Sequence, residues 1–342
     1  MHLPCHRETR PADRWPVRDG FGISSRPPVA WPIPAMSTPH DPRQLTGVLY
    51  ASAAFLFWGL APLYWRLLEG ISAQELLAHR IVWALPLLAV LVATRGSWRE
   101  LVGALSHPRT RTLLLLTTVL IAGNWFTFLY AIVVGKVLQA SLGYYLTPLV
   151  NVLLGVVFLH ERLRRWQLAA LVVAGSGVAL LVLRLGELPW ISLVLASSFA
   201  FYGLLRKQVA AGPMTGLSIE IALLFPAALG LLLWMEARGG AAFGHEGAWT
   251  SALLVLAGAV TVTPLLWFTR GARAITLVTL GFLQFLAPTG QFLLAVFAFH
   301  EPFGSVQLGA FCLIWTGLAL YSWEGYRVHR DRGTPRAALR SP

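Results

Sequence analysis

Ten apolar stretches, each about as long as a helix that crosses a bilayer, constrain the fold of this chain more than any other feature. An α-helix rises 1.5 Å per residue, so about 20 apolar residues cross the ~30 Å hydrocarbon core of a membrane. The loops between the stretches are too short to fold as domains, so we expect one all-α integral membrane domain. The stretches cover residues 45–66, 74–94, 112–133, 138–159, 166–183, 188–205, 217–236, 249–268, 276–299 and 305–323.

The composition argues against a soluble enzyme. Of the 342 residues, 56% are apolar and 12% are charged, whereas a soluble domain carries about 25% charged residues. The sequence has no P-loop, no G-x-S-x-G motif and no group of residues at metal-ligand spacing. We therefore expect neither enzymatic activity, nor a cofactor, nor a metal site.

The distribution of positive charge predicts the orientation in the membrane. The net charge of +12 would also suit a nucleic-acid partner, but the charges lie in the loops between the spans. If the N-terminus is cytoplasmic, 22 of the Lys and Arg residues fall on the cytoplasmic side and 4 on the other. This bias satisfies the positive-inside rule and predicts that both termini are cytoplasmic. Nucleic acid is then not an expected partner; the lipid bilayer is.

The two ends of the chain differ from the apolar spans. Residues 1–44 are rich in Pro, Arg and Asp and have no apolar run, so we expect a disordered cytoplasmic tail, with Met36 as an alternative true start. Residues 326–342 are predicted to form a basic cytoplasmic tail.

An internal repeat relates the two halves of the chain, residues 45–184 and 185–325. At an offset of 140 residues, Pro148 corresponds to Pro288, Asn151 to Gln291 and Glu161 to Glu301. Each half has five spans, an odd number, so the second half must enter the membrane in the opposite orientation. The sequence therefore predicts ten transmembrane helices arranged as a 5+5 inverted-topology repeat. Secondary transporters commonly have this architecture, with the substrate site near the midplane.

Several motifs resemble those of the RarD branch of the EamA proteins, in the drug/metabolite transporter superfamily. The resemblance covers residues 45–325 and implies a bacterial inner-membrane permease with ten helices and both termini in the cytoplasm, associated by name with chloramphenicol sensitivity. His160 and His300 depart from the family pattern, in which a small residue often precedes the Glu. The motifs lie at 78–83 (AHRIVW), 124–125 (NW), 140–155, 161–165 (ERLRR), 186–192, 202–207 (YGLLRK) and 281–289.

Arg80 is the sharpest candidate for a substrate-binding residue. It lies roughly 9–12 Å inside the second span at 1.5 Å per residue, where an arginine costs about 2.5 kcal/mol or more and usually faces a cavity or a partner. We predict that Arg80 binds an anionic group of the substrate and that Glu75 and His79 share its cavity. The alternatives are a structural pair with Glu75 or Glu220, or a side chain that snorkels to the outer surface.

Other polar residues inside the apolar spans complete the predicted site. They would either line the translocation path or join helices by hydrogen bonds. Two prolines at matching positions of the repeats are predicted to bend their helices and act in gating. The substrate-binding candidates are Asn124, Tyr144, Asn151, Tyr202, Gln284 and Gln291, and the gating candidates are Pro148 and Pro288.

These features predict a secondary transporter that exports or imports a small organic metabolite or drug-like compound by alternating access. The alternative is a non-transporting membrane scaffold or sensor built on a transporter fold. A coupling ion stays open at this point, with Glu75, His79 and Glu220 as the candidates for carrying a proton.

Overall fold

The computed structural model describes residues 42–134, 136–185, 189–298, 300 and 304–333. The predicted N-terminal tail up to residue 41, with Met36, lies outside the described residues, as do Glu301 and the C-terminal tail after Gly333.

The described part of the chain consists of α-helices, with one π-helical turn at Leu294–Ala298. Two of the predicted spans are interrupted, so that α2 and α3 share one crossing, and α11, α12 and the π-helical turn share another. The α-helices are α1 (Pro42–Arg66), α2 (Ala73–Val82), α3 (Ala84–Thr94), α4 (Trp98–Ser106), α5 (Pro108–Val133), α6 (Val137–Leu159), α7 (Arg165–Leu185), α8 (Trp190–Gln208), α9 (Pro213–Ala237), α10 (Ala248–Ala274), α11 (Leu277–Gln284), α12 (Leu286–Leu293) and α13 (Ser305–Gly333).

Ten crossings follow from these helices. Within the described residues, nine are long and apolar enough to span a membrane, and α8, with 19 residues, packs between α5 and α6 as the tenth. Loops 67–72 and 238–247 belong to one end of the bundle, which we call the predicted outer end. Residues 95–107, which include α4, and loops 160–164 and 209–212 belong to the other, the predicted cytoplasmic end. The all-α fold expected from the sequence is confirmed.

Helix pairs show how the two halves of the bundle are related. Helix α7 packs against α13, α6 against α11, and α2 and α3 against α9, so the second, fourth and fifth spans each contact the span at the same place in the other repeat. The α7–α13 contact repeats itself in detail. A Cβ on Gly177 would lie 2.6 Å from the Ala310 carbonyl oxygen, and one on Gly317 would lie 2.7 Å from that of Ala170. The small residues at these positions allow the two helices to pack closely.

The two interrupted spans break at Trp83 and Phe285, each three residues before a proline, Pro86 or Pro288. A proline has no N–H and its ring crowds the carbonyl group four residues earlier, so a helix is easily interrupted there and restarts with the proline in its first turn. Helix α6 runs through Pro148 without a break. The repeats therefore differ at the two prolines proposed for gating.

Two features at the predicted cytoplasmic end were not expected from the sequence. Residues 98–106, in what had been predicted as a loop, form the short helix α4, and α13 continues to Gly333, beyond the predicted end of its span. Both lie outside the longest apolar runs, so hydropathy alone does not reveal them.

The break at Trp83 is held by Gly258 on α10. A Cβ on Gly258 would lie 2.5 Å from the Trp83 carbonyl carbon and 2.7 Å from the Ala84 nitrogen. Because backbone atoms cannot move aside as a side chain can, we expect Gly258→Ala to push α10 away from the break and to destabilise the protein by about 1–3 kcal/mol. The measurement is the melting temperature in detergent.

Gly123→Ala on α5 is the matched control, because nothing lies within 4 Å of the Cβ it would add. Alanine favours a helix over glycine by about 1 kcal/mol, so this variant should melt at or above the temperature of the unmodified protein. Equal melting temperatures for the two variants would contradict the close approach at Gly258.

Candidate substrate-binding site

Arg80 lies on α2 and reaches α10. Its Nε donates a hydrogen bond of 2.9 Å to the Thr261 Oγ1, and the Thr261 hydroxyl donates in turn to the Ala257 carbonyl oxygen. Thr261 is buried and Arg80 is partly exposed. One edge of the guanidinium is thus fixed by a threonine that also bonds its own helix.

The other edge of the guanidinium is open. Among the described residues, Arg80 forms no ion pair, and its two terminal nitrogens have no hydrogen-bond partner. The two carboxylates considered as structural partners, Glu75 and Glu220, bond elsewhere. The terminal nitrogens are the pair that binds carboxylates and phosphates in a two-pronged way.

Aromatic side chains surround the guanidinium. Its central carbon lies 5.2 Å from the ring centroid of Trp65 and 5.4 Å from that of Trp125, within the range of cation–π attraction. Tyr64 and Tyr144 lie close enough to interact with its charge. The Tyr144 side chain stays 42% exposed and meets Phe128 edge to face. These rings stabilise the cation without neutralising its charge.

Glu75 and His79 lie beneath the loop between α9 and α10. The Glu75 Oε1 accepts hydrogen bonds from the backbone N–H groups of Ala242, at 2.7 Å, and Phe243, at 3.3 Å. The Nε2 of His79 is 3.7 Å from that carboxylate, and its Nδ1 accepts from the Trp83 indole. Both side chains are buried. Their contacts therefore fasten this loop at the predicted outer end.

Four of the predicted polar residues join helices. The Asn124 amide donates to the Leu195 carbonyl oxygen and the Ser198 hydroxyl, linking α5 to α8. The Asn151 amide donates to the Gln284 Oε1 at 2.5 Å, linking α6 to α11 across the repeats. The Gln291 amide donates to the Trp58 carbonyl oxygen at 3.3 Å. None of these hydrogen bonds involves Arg80.

A second charged cluster lies on α8 and α9, in the half of the bundle nearer the predicted cytoplasmic end. The Glu220 carboxylate accepts from the Thr117 hydroxyl at 2.6 Å and from the Tyr202 hydroxyl at 3.1 Å, and lies 3.7 Å from the Arg206 Nη1. Arg206 is 0% and Glu220 1% exposed. The spans predicted from the sequence end before Arg206 and leave Arg80 as the one cation within them. The structure corrects this prediction, because α8 continues through Arg206 to Gln208.

The two clusters occupy equivalent places in the repeats. Arg80 bonds Thr261, and Glu220 bonds Thr117. Glu220 follows Arg80 by 140 residues, the offset found in the sequence repeat, and Thr261 follows Thr117 by a similar offset of 144. The arrangement of charge, hydroxyl and helices is conserved between the halves, but the sign of the charge is inverted. Sequence reasoning missed Thr261, Trp65 and Tyr64, although the repeat pairs Thr261 with Thr117.

Hydrogen bonds between helix ends close the predicted cytoplasmic end. Lys207 donates to the carbonyl oxygens of Ala272 and Ile275, and Arg273 donates to that of Ala211. The Glu161 carboxylate accepts from the N–H groups of Leu277 and Val278, each at 2.8 Å. Glu161 follows α6 in the chain and caps α11 of the other repeat, because α6 and α11 pack together.

A family model and the relatives of this chain indicate the same family. Residues 45–183 match the model of the EamA-like transporter family. An uncharacterized transporter of Vibrio cholerae is 42% identical over 85% of this chain and 96% of its own. Protein RarD of Escherichia coli is 40% identical over 83% of this chain and 96% of its own.

A third relative is more distant, and a solved structure supports the fold. The chloramphenicol-sensitive protein RarD of Pseudomonas aeruginosa is 31% identical over 84% of this chain and 96% of its own. One crystal structure superposes with a TM-score of 0.63 over 83% of this chain and 99% of that chain, at 19% identity, which speaks for the fold alone. The chain therefore belongs to the EamA-like transporter family of the drug/metabolite transporter superfamily, and within it to the RarD proteins.

Proposed function

We propose that this membrane transporter carries a small organic anion or zwitterion by alternating access, and that Arg80 binds the anionic group of the substrate. The observation that carries the proposal is the open edge of the guanidinium. A buried or half-buried cation without a carboxylate partner costs free energy in a membrane. An anionic ligand that accepts hydrogen bonds from both terminal nitrogens would remove that cost.

The surroundings of Arg80 suit an organic ligand. Trp65, Trp125 and Tyr144 offer ring surface to the apolar part of a substrate, while Thr261 holds the guanidinium in one orientation. In this proposal the other predicted site residues do not contact the substrate but hold the surrounding structure in place. Glu75 and His79 secure the loop above the site, Asn151 and Gln284 join α6 to α11 below it, and Tyr202 holds Glu220.

Alternating access requires a second conformation that is open at the other end. In the present one Arg206 and Glu220, near the predicted cytoplasmic end, are buried and paired between α8 and α9, whereas Arg80 and Tyr144 keep exposed surface. Opening the cytoplasmic end would have to part Arg206 from Glu220. Two similar halves of opposite orientation give the two conformations comparable energies. The breaks at Trp83 and Phe285, with Pro148 and Pro288, are the proposed bending points.

Uptake into proteoliposomes tests the proposal. Vesicles that contain the protein, and vesicles that contain Arg80→Ala, are incubated with a small-molecule extract of bacterial cells, washed and analysed by mass spectrometry. We expect one or more organic anions to accumulate only with the unmodified protein, with rates that saturate. Equal contents in both preparations and in empty vesicles would favour the scaffold or sensor alternative. A rate that never saturates would indicate a channel.

The orientation is a separate prediction. The charge bias of 22 to 4 predicts that both termini are cytoplasmic, and the resemblance to the RarD proteins implies a bacterial inner membrane. A fluorescent protein fused after Arg340 should therefore be bright, and alkaline phosphatase fused at the same place should be inactive. An active phosphatase fusion would show that the number of crossings is odd.

A further inference from the structure

The helix α4, at the predicted cytoplasmic end, has an apolar face that no other part of the described chain covers. Trp98, Val102 and Leu105 are 53%, 64% and 40% exposed, and their spacing of four and three residues puts them on one face of the helix. Leu101 and Ala104, on the adjacent face, pack against Leu114 and Val209. The helix thus has one face on the protein and one apolar face turned away from it.

The surroundings of this face are basic. Arg95, Arg99 and Arg111 are all exposed, and Glu100 is the single acidic residue between residues 95 and 111. Glu100 is already engaged, because its Oε1 accepts a hydrogen bond of 2.5 Å from the Gly212 N–H. The charges next to the apolar face are therefore positive without compensation from a nearby free acid.

The position of α4 identifies what covers it. Helix α3 ends at Thr94, four residues before α4, and α5 begins at Pro108, two residues after it. Both neighbours are candidate membrane spans, and α4 connects their ends, so it is expected at the level of the lipid headgroups. A tryptophan at this level, an apolar face and flanking arginines are typical of a helix that lies in the interface.

We infer that α4 lies in the cytoplasmic leaflet and binds the headgroups of anionic phospholipids through Arg95, Arg99 and Arg111. Basic residues near an anionic leaflet are attracted to its headgroups. The helix also connects this contact to the transport machinery. Gly212 is the residue just before α9, a Cβ there would lie 2.9 Å from the Glu100 Oε1, and α9 carries Glu220. Anionic lipid should therefore steady the start of α9. The inference does not depend on Arg80 or on the substrate.

Collisional quenching tests the position of α4. Cys5 and Cys312 are replaced by alanine, Val102→Cys is labelled with bimane, and the protein is reconstituted in phosphatidylcholine alone or mixed with phosphatidylglycerol. We expect strong quenching by lipids spin-labelled near the headgroup, weak quenching by aqueous iodide, and a stronger lipid effect with phosphatidylglycerol. Gly103→Cys, which lies on the exposed side of α4 away from this face, is the control and should show the reverse preference. Iodide quenching of both labels in both lipids would overturn the inference.

Charge variants test the role of the lipid headgroup. Replacing Arg95, Arg99 and Arg111 together by glutamine should remove the effect of phosphatidylglycerol on the Val102→Cys label. The control variant replaces Arg162 and Arg165, two exposed arginines at the same end of the bundle, by glutamine. Its Val102→Cys label should still respond to phosphatidylglycerol. If the triple variant responds to phosphatidylglycerol as the parent does, anionic lipid is not what α4 binds.

Hydrogen exchange tests the connection to α9. In nanodiscs with phosphatidylglycerol, the amides of residues 212–220 should exchange several-fold more slowly than in phosphatidylcholine. Glu100→Ala should abolish this difference while the Val102→Cys label keeps its response to lipid. Equal exchange of residues 212–220 in the two lipids would show that α4 binds lipid without steadying α9.

Discussion

Arg80→Ala should lower substrate uptake by about 100-fold or more while the protein still inserts and folds, since two hydrogen bonds to a charged ligand, each worth about 1.5–3 kcal/mol, are lost. The guanidinium has no carboxylate partner among the described residues, so its removal leaves no uncompensated negative charge behind. The melting temperature should therefore stay close to that of the unmodified protein. Uptake of the compounds found by mass spectrometry and a melting curve are the two measurements.

Arg80→Lys distinguishes charge from shape. Lysine keeps the positive charge but has no planar fork, and it cannot bond Thr261 and hold two oxygen atoms of an anion in the same geometry. We expect uptake to fall nearly as far as with alanine. The control is Arg184→Ala, an exposed arginine at the predicted outer end of α7, which should transport normally.

Two results would contradict the role of Arg80. Normal uptake by Arg80→Ala would remove it from the binding site. A melting temperature well below that of the unmodified protein, restored by adding Glu75→Gln or Glu220→Gln, would make it a structural ion-pair partner. The contacts of these carboxylates, with Ala242 and Phe243 in one case and Thr117, Tyr202 and Arg206 in the other, argue against such a restoration.

Glu220→Gln should cost about 3–5 kcal/mol of stability, because it leaves the Arg206 charge buried without a counter-charge. Glutamine keeps the size of the side chain and an oxygen that can accept from Thr117 or Tyr202, so the variant changes charge rather than packing. Arg206 has few other polar contacts. Among the described residues its Nε and Nη1 make no hydrogen bond, and its Nη2 donates to the Pro213 carbonyl oxygen. The measurement is the melting temperature in detergent.

Removing the second charge should restore stability. Arg206→Met in the Glu220→Gln background takes away the uncompensated cation, and the double variant should regain most of the loss, since a buried ion pair replaced as a whole is often tolerated. Arg206→Met alone should be destabilised, because it leaves Glu220 without a cation. If Glu220→Gln melts like the unmodified protein, the pair does not hold α8 to α9.

Gly216 gives an independent check on the same pair. A Cβ on Gly216 would lie 1.8 Å from the Arg206 Nη1, so the guanidinium occupies the space that a larger residue would fill. The glycine thus explains how an arginine side chain enters the closely packed α8–α9 contact. Any side chain larger than that of glycine at position 216 would displace the Arg206 guanidinium from this contact.

The sequence alone determined that the chain forms apolar helical spans, and it predicts their orientation and the repeat. Lipid offers no hydrogen-bond partners to the backbone, so each long apolar run forms a helix, in which the backbone groups bond one another. The charge bias and the number of spans then predict the topology. The register of the repeat also agrees with the structure, because Gly177 and Gly317, which are 140 residues apart, make equivalent contacts. The depth of Arg80 in its span marked it as an unusual residue before any contact was known.

Only the tertiary structure decided which polar groups meet. Along an apolar span, lipid-facing and helix-facing positions are both hydrophobic, so hydropathy does not reveal which face of a helix turns inward. Glu75 was therefore predicted to share the cavity of Arg80, but it bonds the α9–α10 loop, and of the two roles open to Asn124 the structure shows a hydrogen bond to α8. Arg206, counted with the loops, is buried beside Glu220. These contacts join residues far apart in the chain, and the packing angles of ten helices, rather than any local pattern, bring them together.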